Sequence, residues 1–448
     1  MAAWHGGVPG VVGNSLVNAP ASRATRAPHT VMTPAEGSMV AFDDRAGVPA
    51  TIAAVLSFDG PCPDVAELGA RVDERWSPLA ALHRTIVPRP DGRPRRPYAW
   101  HAPGAPSPAA RPRLVDAANG REGLAAHVGA LLEEPLPPGG PLWGLDLLPG
   151  DNGFTLVLRA HHALLDGASV GTLLRALSDT PEVLPPPAGA PPLPPGRWAR
   201  AGAALGSGRS AFPPGRALGF NRPVDQARSV AWAGVPMAEF EAARAALPGA
   251  RATVNDVFLA AVAGALRRVV TDGASVRAMV PVNLRGPERH DEIGTVIGGA
   301  RVALPVAMAD PVARLRAVRD AMARTKRRYE PGGLTRLIDV LAVPAPGAAG
   351  ALIGHLLGSP SLWNVLCSNI RLHDGPLEVA GRRLREAFVA TCLPPRMGFV
   401  AVLTRYADAC TVAFTSDGAH RALAAPLADA VREEVATLAS GALPVAGP

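Results

Sequence analysis

Lysine is almost absent from the 448-residue sequence: of its 45 basic residues, only Lys326 is not arginine. The formal net charge of +7 therefore reflects an arginine-, alanine-, glycine- and proline-rich composition of the kind that GC-rich codons produce. Two arginine clusters stand out, Arg93, Arg95 and Arg96, and Arg324, Lys326, Arg327 and Arg328, and aromatics make up only 4% of the chain. Neither cluster interleaves with stacking rings, so the basic patch that nucleic-acid binding requires is missing. Cysteine is scarce as well. Cys62, Cys367, Cys392 and Cys410 form no C-x-x-C and no disulfide framework, and buried reduced thiols in a cytoplasmic protein are expected. The N-terminus lacks the charged start and apolar run of a signal peptide. No apolar stretch of about 20 residues is free of breakers. The nearest, Val340 to Gly354, is interrupted by Pro344 and Pro346, and leaves weak peripheral contact with lipid open.

Forty-eight prolines and 47 glycines are present instead, and their density is local. Eight of the fifteen residues from Pro181 to Pro195 are proline, which marks a semi-rigid linker. The expected organisation is a loose tail over 1–30, a first half over 31–180, a crossover linker over 181–220 and a second half over 221–448. The spacing predicts a helix entered at Thr33-Pro34-Ala35-Glu36, which combines a cap, a first-turn proline and a glutamate three residues on. Strands are predicted at Ile52–Phe58, Phe154–Leu158, Ser229–Trp232, Ser275–Val282 and Ala300–Val306. Helices are predicted at Pro63–Arg75, Ala168–Leu177, Met237–Ala246, Val254–Val270 and from Asp310-Pro311 to Arg328. The class is α+β, with each half a sheet and helices.

The densest chemistry lies at His161-His162-Ala163-Leu164-Leu165-Asp166-Gly167-Ala168-Ser169. A strand runs into two histidines, a carboxylate follows four residues after the second, and Gly167 allows a turn. A neutral imidazole takes a proton near physiological pH, so one histidine is a candidate general base. A metal site from His161, His162 and Asp166 is the second reading. Adjacent strand residues face opposite ways, however, and no further cluster completes a ligand set. A serine nucleophile is the third, because Gly167-Ala168-Ser169-Val170-Gly171 matches G-x-S-x-G. That elbow must sit at the strand-to-helix turn, and here six residues intervene. Histidines merely satisfied within a core are the fourth.

His161-His162-x-x-x-Asp166-Gly167 resembles the HHxxxDG signature of the CoA-dependent acyltransferase superfamily, which includes chloramphenicol acetyltransferase and peptide-synthetase condensation domains. Pro141-Leu142-Trp143, Thr253 to Ala260 around Asn255-Asp256, and Pro281-Val282-Asn283-Leu284-Arg285 follow in an order that resembles the bacterial wax ester synthase/diacylglycerol acyltransferase family. The resemblance covers roughly residues 32–440. It implies two chloramphenicol-acetyltransferase-like halves in a V with a tunnel between them. It implies His162 as base, His161 and Asp166 as architectural, and Arg285 as the partner of Asp166. Asn255, Asp256, Arg285, Ser368, Asn369 and Trp143 become substrate-side candidates. For Asn255 and Asp256 a helix cap is an equal alternative, for Trp143 a place in the core is the favoured one, and for Arg285 a surface position is an equal alternative. The implied substrates are an acyl thioester of CoA, or of an acyl carrier protein, and a hydroxyl or amine acceptor, with no cofactor and no metal.

The chain also departs from that family. Where S-N-V-P-G-P is usual, it reads Ser368-Asn369-Ile370-Arg371-Leu372-His373-Asp374-Gly375-Pro376. Pro49-Ala50-Thr51 stands for Pro-Met-His, Gly294-Thr295 for Gly-Asn, and Pro394-Pro395-Arg396-Met397-Gly398 for a segment built on Asp-Gly or Gln-Gly. The base is intact while the lining has diverged. A specialised-metabolite ester or amide synthase is therefore expected. A storage-lipid enzyme acting on fatty alcohol or diacylglycerol, and a catalytically idle binding protein, remain the alternatives.

Overall fold

A computed structural model describes residues 29–88, 98–102, 112–116, 120–136, 139–181, 215–247, 251–286, 289–328 and 358–441. Most of the expected tail and linker, and the Val340–Gly354 segment, lie outside the described residues. Two six-stranded sheets organise the rest. The first takes β2 (Thr51–Asp59), β5 (Arg113–Leu114), β6 (Trp143–Gly150), β7 (Gly153–His161), β12 (Glu378–Val379) and β13 (Arg382–Ala390), in the order β12-β13-β2-β7-β6-β5. The second takes β8 (Arg228–Pro236), β9 (Val276–Asn283), β10 (Ile297–Leu304), β11 (Val365–His373), β14 (Phe399–Tyr406) and β15 (Ala409–Asp417), in the order β10-β9-β11-β14-β15-β8. A small sheet joins β1 (His29–Val31), β4 (Tyr98–His101) and β3 (Thr85–Pro88).

The helices are α1 (Pro34–Ala46), α2 (Val65–Trp76), α3 (Gly120–Glu133), α4 (Gly167–Leu177), α5 (Met237–Ala245), α6 (Val254–Leu266), α7 (Pro311–Arg328) and α8 (Arg421–Ser440). Their starts are chemically marked. Thr33 and Glu36 close a reciprocal capping box on α1, and Thr253 and Asp256 close another on α6. In α2, capped by Asp64, Leu68, Val72 and Trp76 recur every four residues on the buried face. Every residue of α6 except Asn255 is buried, as its continuous Ala, Val and Leu content predicts. Among the described residues no helix is long and apolar enough to cross a membrane.

Sheet membership does not follow chain order. β13, from the second half of the chain, pairs antiparallel with β2 of the first sheet, Ala390 opposite Ala53 and Leu384 opposite Phe58. A shared core then fills the space between the sheets: Val55 and Val157 from the first, Val230 and Ala413 from the second, and Leu131 and Leu132 from α3. Trp232 of β8 stacks on Phe388 of β13 at 4.4 Å between ring centroids. Burying such rings contributes about 2–3 kcal/mol each, so the two sheets meet through a packed apolar core. Leu218 and Phe220, placed at the end of the expected linker, are buried in the core of the second half. All four cysteines are free, but Cys62 is only partly buried, unlike Cys367, Cys392 and Cys410, because it sits in the loop before α2.

Candidate active site

β7 delivers His161 to its last position, and the chain then turns through His162 to Leu165 before Asp166 caps α4. The two imidazoles diverge. His161 is buried; its Nδ1 accepts the Ala163 N–H at 3.0 Å, so its Nε2–H donates to Asp43 Oδ2 at 2.9 Å. Asp43, near the end of α1, also accepts the Ala50 N–H. His162 has the opposite tautomer. Its Nδ1 faces the Leu165 carbonyl at 3.0 Å, and a carbonyl only accepts, so Nδ1 carries the proton and Nε2 keeps its lone pair. His162 remains partly accessible. Burial among protein atoms holds its pKa below the ordinary value, and Asp166 opposes that shift only in part. The arrangement is a neutral imidazole with its basic nitrogen unblocked.

Asp166 does not reach either histidine ring. Its Oδ1 accepts the Ser169 N–H, which caps the helix, and its two oxygens take both arms of Arg285 at 2.7 and 3.0 Å. Val296 N–H adds a further bond to Oδ2. Neither side chain sees solvent: 3% of Asp166 and none of Arg285 is exposed. Arg285 reaches on to the carbonyls of Glu292 and Gly294. The Gly294 backbone has φ +153°, a conformation that suits glycine, and so turns both its N–H and its carbonyl toward Ser169. Thr295 beside it donates to the His162 carbonyl at 2.5 Å. The second half thus holds the backbone of the histidine turn directly.

Gly167 differs from its expected role. It is the first residue of α4, with no positive φ, and a Cβ there would stand 2.6 Å from Ile370 of β11. Its missing side chain allows α4 to lie against the second sheet. Ser169 is committed within the cap, between Asp166 and Gly294, and no described histidine bonds to it. The serine-nucleophile geometry is therefore not formed. Ser169→Ala is expected to retain turnover in the folded protein while lowering stability by about 1–3 kcal/mol, because Gly294 N–H loses its acceptor. Loss of turnover with an unchanged melting temperature would contradict this. The metal geometry is not formed either, since His161 and His162 diverge and Asp166 is paired; among the described residues no group of three candidate ligands gathers.

The substrate-side candidates separate. Asp256 is committed to its capping box with Thr253, bonded at 2.8 and 2.7 Å, and is buried. Trp143 is a core residue: its indole N–H donates to the Leu82 carbonyl and its ring meets Trp76 edge-on. Asn255 accepts from Asn369, which accepts from Arg405, a residue that no motif singled out. Strand alternation places Asn369 on the face of β11 opposite Ile370, so this polar chain points to the helix layer and away from Gly167. Ser368 shares the face of Ile370 and is the one of the two that looks toward α4. Of the functional set, Asp43 was marked by no motif, and Thr295 only as a departure from the family's Gly-Asn.

Comparisons with known proteins give the family and the fold. Residues 110–211 match the wax ester synthase/diacylglycerol acyltransferase catalytic domain, and residues 293–439 match the WS/DGAT C-terminal domain, together more than half of the chain. A provisionally named diacylglycerol O-acyltransferase of Mycobacterium tuberculosis is 27% identical over 370 residues, covering 70% of this chain and 73% of that one. The fold is similar to the solved wax ester synthase/diacylglycerol acyltransferase of Marinobacter aquaeolei, with a TM-score of 0.65 at 20% identity over 91% of this chain and 98% of that one. It is similar also to the first condensation domain of the calcium-dependent antibiotic synthetase, with a TM-score of 0.66 at 20% identity over 93% and 97%.

Proposed function

The chain belongs to the wax ester synthase/diacylglycerol acyltransferase family and is an acyltransferase, and on that premise we propose that His162 is its general base. The observation that carries this reading is the tautomer: Nδ1–H is tied to the Leu165 carbonyl, so Nε2 is the nitrogen that can accept. Nε2 takes the proton of an acceptor hydroxyl as its oxygen attacks the thioester carbonyl carbon. The tetrahedral intermediate then collapses, the C–S bond breaks, and the thiolate recovers the proton from Nε2–H. No covalent enzyme intermediate is needed. His161, Asp166 and Arg285 hold the turn and do not touch the reacting atoms. Asn255 and Asn369 are placed to brace the second sheet.

The donor is an acyl thioester of CoA or of a carrier protein. The acceptor is a small alcohol or amine of specialised metabolism; the replacement of the usual Pro-Gly turn after Ser368-Asn369 by a strand that runs on to His373 supports it. The names of the relatives favour the second reading, a diacylglycerol or fatty-alcohol acceptor. A mass-spectrometric screen of the purified protein decides between them, with acyl-CoAs and acyl carrier proteins offered against diacylglycerol, fatty alcohols, polar alcohols and amines. Products only with diacylglycerol or fatty alcohol would establish the storage-lipid reading.

The pH profile follows from the depressed pKa of His162. The neutral imidazole is the active form, so kcat/KM is present above that pKa and falls as pH drops through it. Burial places the pKa below the usual value of about 6.5, and the acid limb is therefore expected below pH 6.5. A midpoint above that value would contradict a desolvated base.

A further inference from the structure

Arg228, at the start of β8, is an arginine with half of its hydrogen-bonding edge empty. It is 6% exposed, and its Nη1 donates to the carbonyls of Asp225 and Ala227. Nε and Nη2 are buried and have no partner. Those two nitrogens form the side edge of the guanidinium, the fork that grips a carboxylate or phosphate with two parallel bonds.

The acids around it are otherwise engaged. Glu133 takes the Arg228 backbone N–H at 2.7 Å. Asp225 takes the N–H groups of Ala227, Gly418 and Ala419. Asp417 takes the N–H and ring of His420. Neighbouring Cys392 is a neutral thiol, its pKa pushed up to about 12 chiefly by burial. Desolvation is the main influence on the guanidinium and pulls its pKa down, against the opposing charges of Asp225, Asp417 and Glu133. Thr415, diagonal to Arg228 across the β8–β15 pair and on the same face, is a second buried group whose hydroxyl has no partner.

The location is a seam between the halves. Gln226, two residues before Arg228, bonds the Gly47 carbonyl just after α1. α3 lies so close that a Cβ on Gly129 would stand 2.6 Å from the Arg228 carbonyl. Asp225, Gln226, Ala227 and Glu133 are exposed, so the guanidinium lies just under the surface. On its inner side Cys392 also feels Asp43, the partner of His161.

We propose that the free edge of Arg228 binds an oxyanion carried by one of the substrates at this seam. The group is a carboxylate of the acceptor or a phosphate of the thioester donor; the edge geometry and the donor-only chemistry are common to both. This rests on the acyltransferase reading for the substrates but not for the binding itself. Buried guanidinium N–H groups without an acceptor cost stability, so the free protein carries that cost until the anion arrives.

The test measures binding to the full chain. Wild type and Arg228→Met are titrated calorimetrically with coenzyme A and with pantetheine, which lacks the phosphates, and with decanoate and decanol. Binding of coenzyme A or decanoate is expected to weaken at least tenfold in the variant, the affected probe identifying donor or acceptor. Pantetheine and decanol are expected to bind both proteins alike. The melting temperature of ligand-free Arg228→Met is expected to be unchanged or higher. Equal binding of both anionic probes to the two proteins, equal loss for neutral and anionic probes, or a lower melting temperature showing a structural water-bridged ion pair would each overturn the proposal. Because binding is read with no turnover, failure here is distinct from failure to find any acyl transfer.

Discussion

His162→Ala is expected to lower thioester-dependent acyl transfer by about 10²–10⁴-fold, the contribution of a positioned general base. The substitution is a clean one in this fold. The turn is held by backbone groups that the variant keeps: His162 N–H to the Ala50 carbonyl and Thr295 to the His162 carbonyl. Only the Nδ1–H bond to the Leu165 carbonyl is lost, an acceptor close enough to a partly accessible position for water to replace it. The melting temperature should therefore move little while turnover collapses. The measurement is initial rate with a fixed acyl-CoA and acceptor, alongside thermal unfolding. A folded variant with full transfer would remove His162 from the chemistry. A variant that unfolds would instead assign the ring to the architecture, where the adjacent His161 already belongs.

How much of this was legible beforehand depends on how local the determinant is. The caps at Thr33-Pro34-Ala35-Glu36 and Thr253-Val254-Asn255-Asp256 are readable because a side chain answers a backbone group three residues away. The buried α6 is readable because its Ala, Val and Leu content leaves no polar face. The motif around His162 is dense enough to name a base, and Arg285 was reached through resemblance rather than through spacing. Long-range pairings left no local mark. Asp43 meets His161 across 118 residues, and Thr295 meets the His162 carbonyl across 133. Nothing in Arg382–Ala390 says that this strand joins β2 of the other half, because a strand pattern fixes alternation but not its neighbour. Gly167 misled for a related reason. Glycine signals a turn locally, and only the packing of Ile370 shows that close approach is its use.

Asp166→Asn is the variant expected to damage folding most, at about 3–5 kcal/mol, the usual effect of breaking a buried ion pair from one side. Asparagine still caps a helix, so α4 keeps its start and the loss is one of charge and donor–acceptor sense. The new amide must turn an NH₂ toward either the Ser169 N–H or toward Arg285 and the Val296 N–H, and every one of these is a donor. Arg285 is left fully buried without a counter-charge. Because Arg285 also holds the Gly294 carbonyl, and Gly294 precedes the Thr295 that braces His162, the disturbance reaches the base through the second half. Denaturant unfolding should show the midpoint shift, and Arg285→Met should cost a similar amount. Combining the two should recover most of the second loss, since no unpaired charge then remains. Turnover per folded molecule should fall less than the folded yield. A stable Asp166→Asn protein with a turnover defect alone would mean that the carboxylate acts on the reaction and not on the joint between the halves.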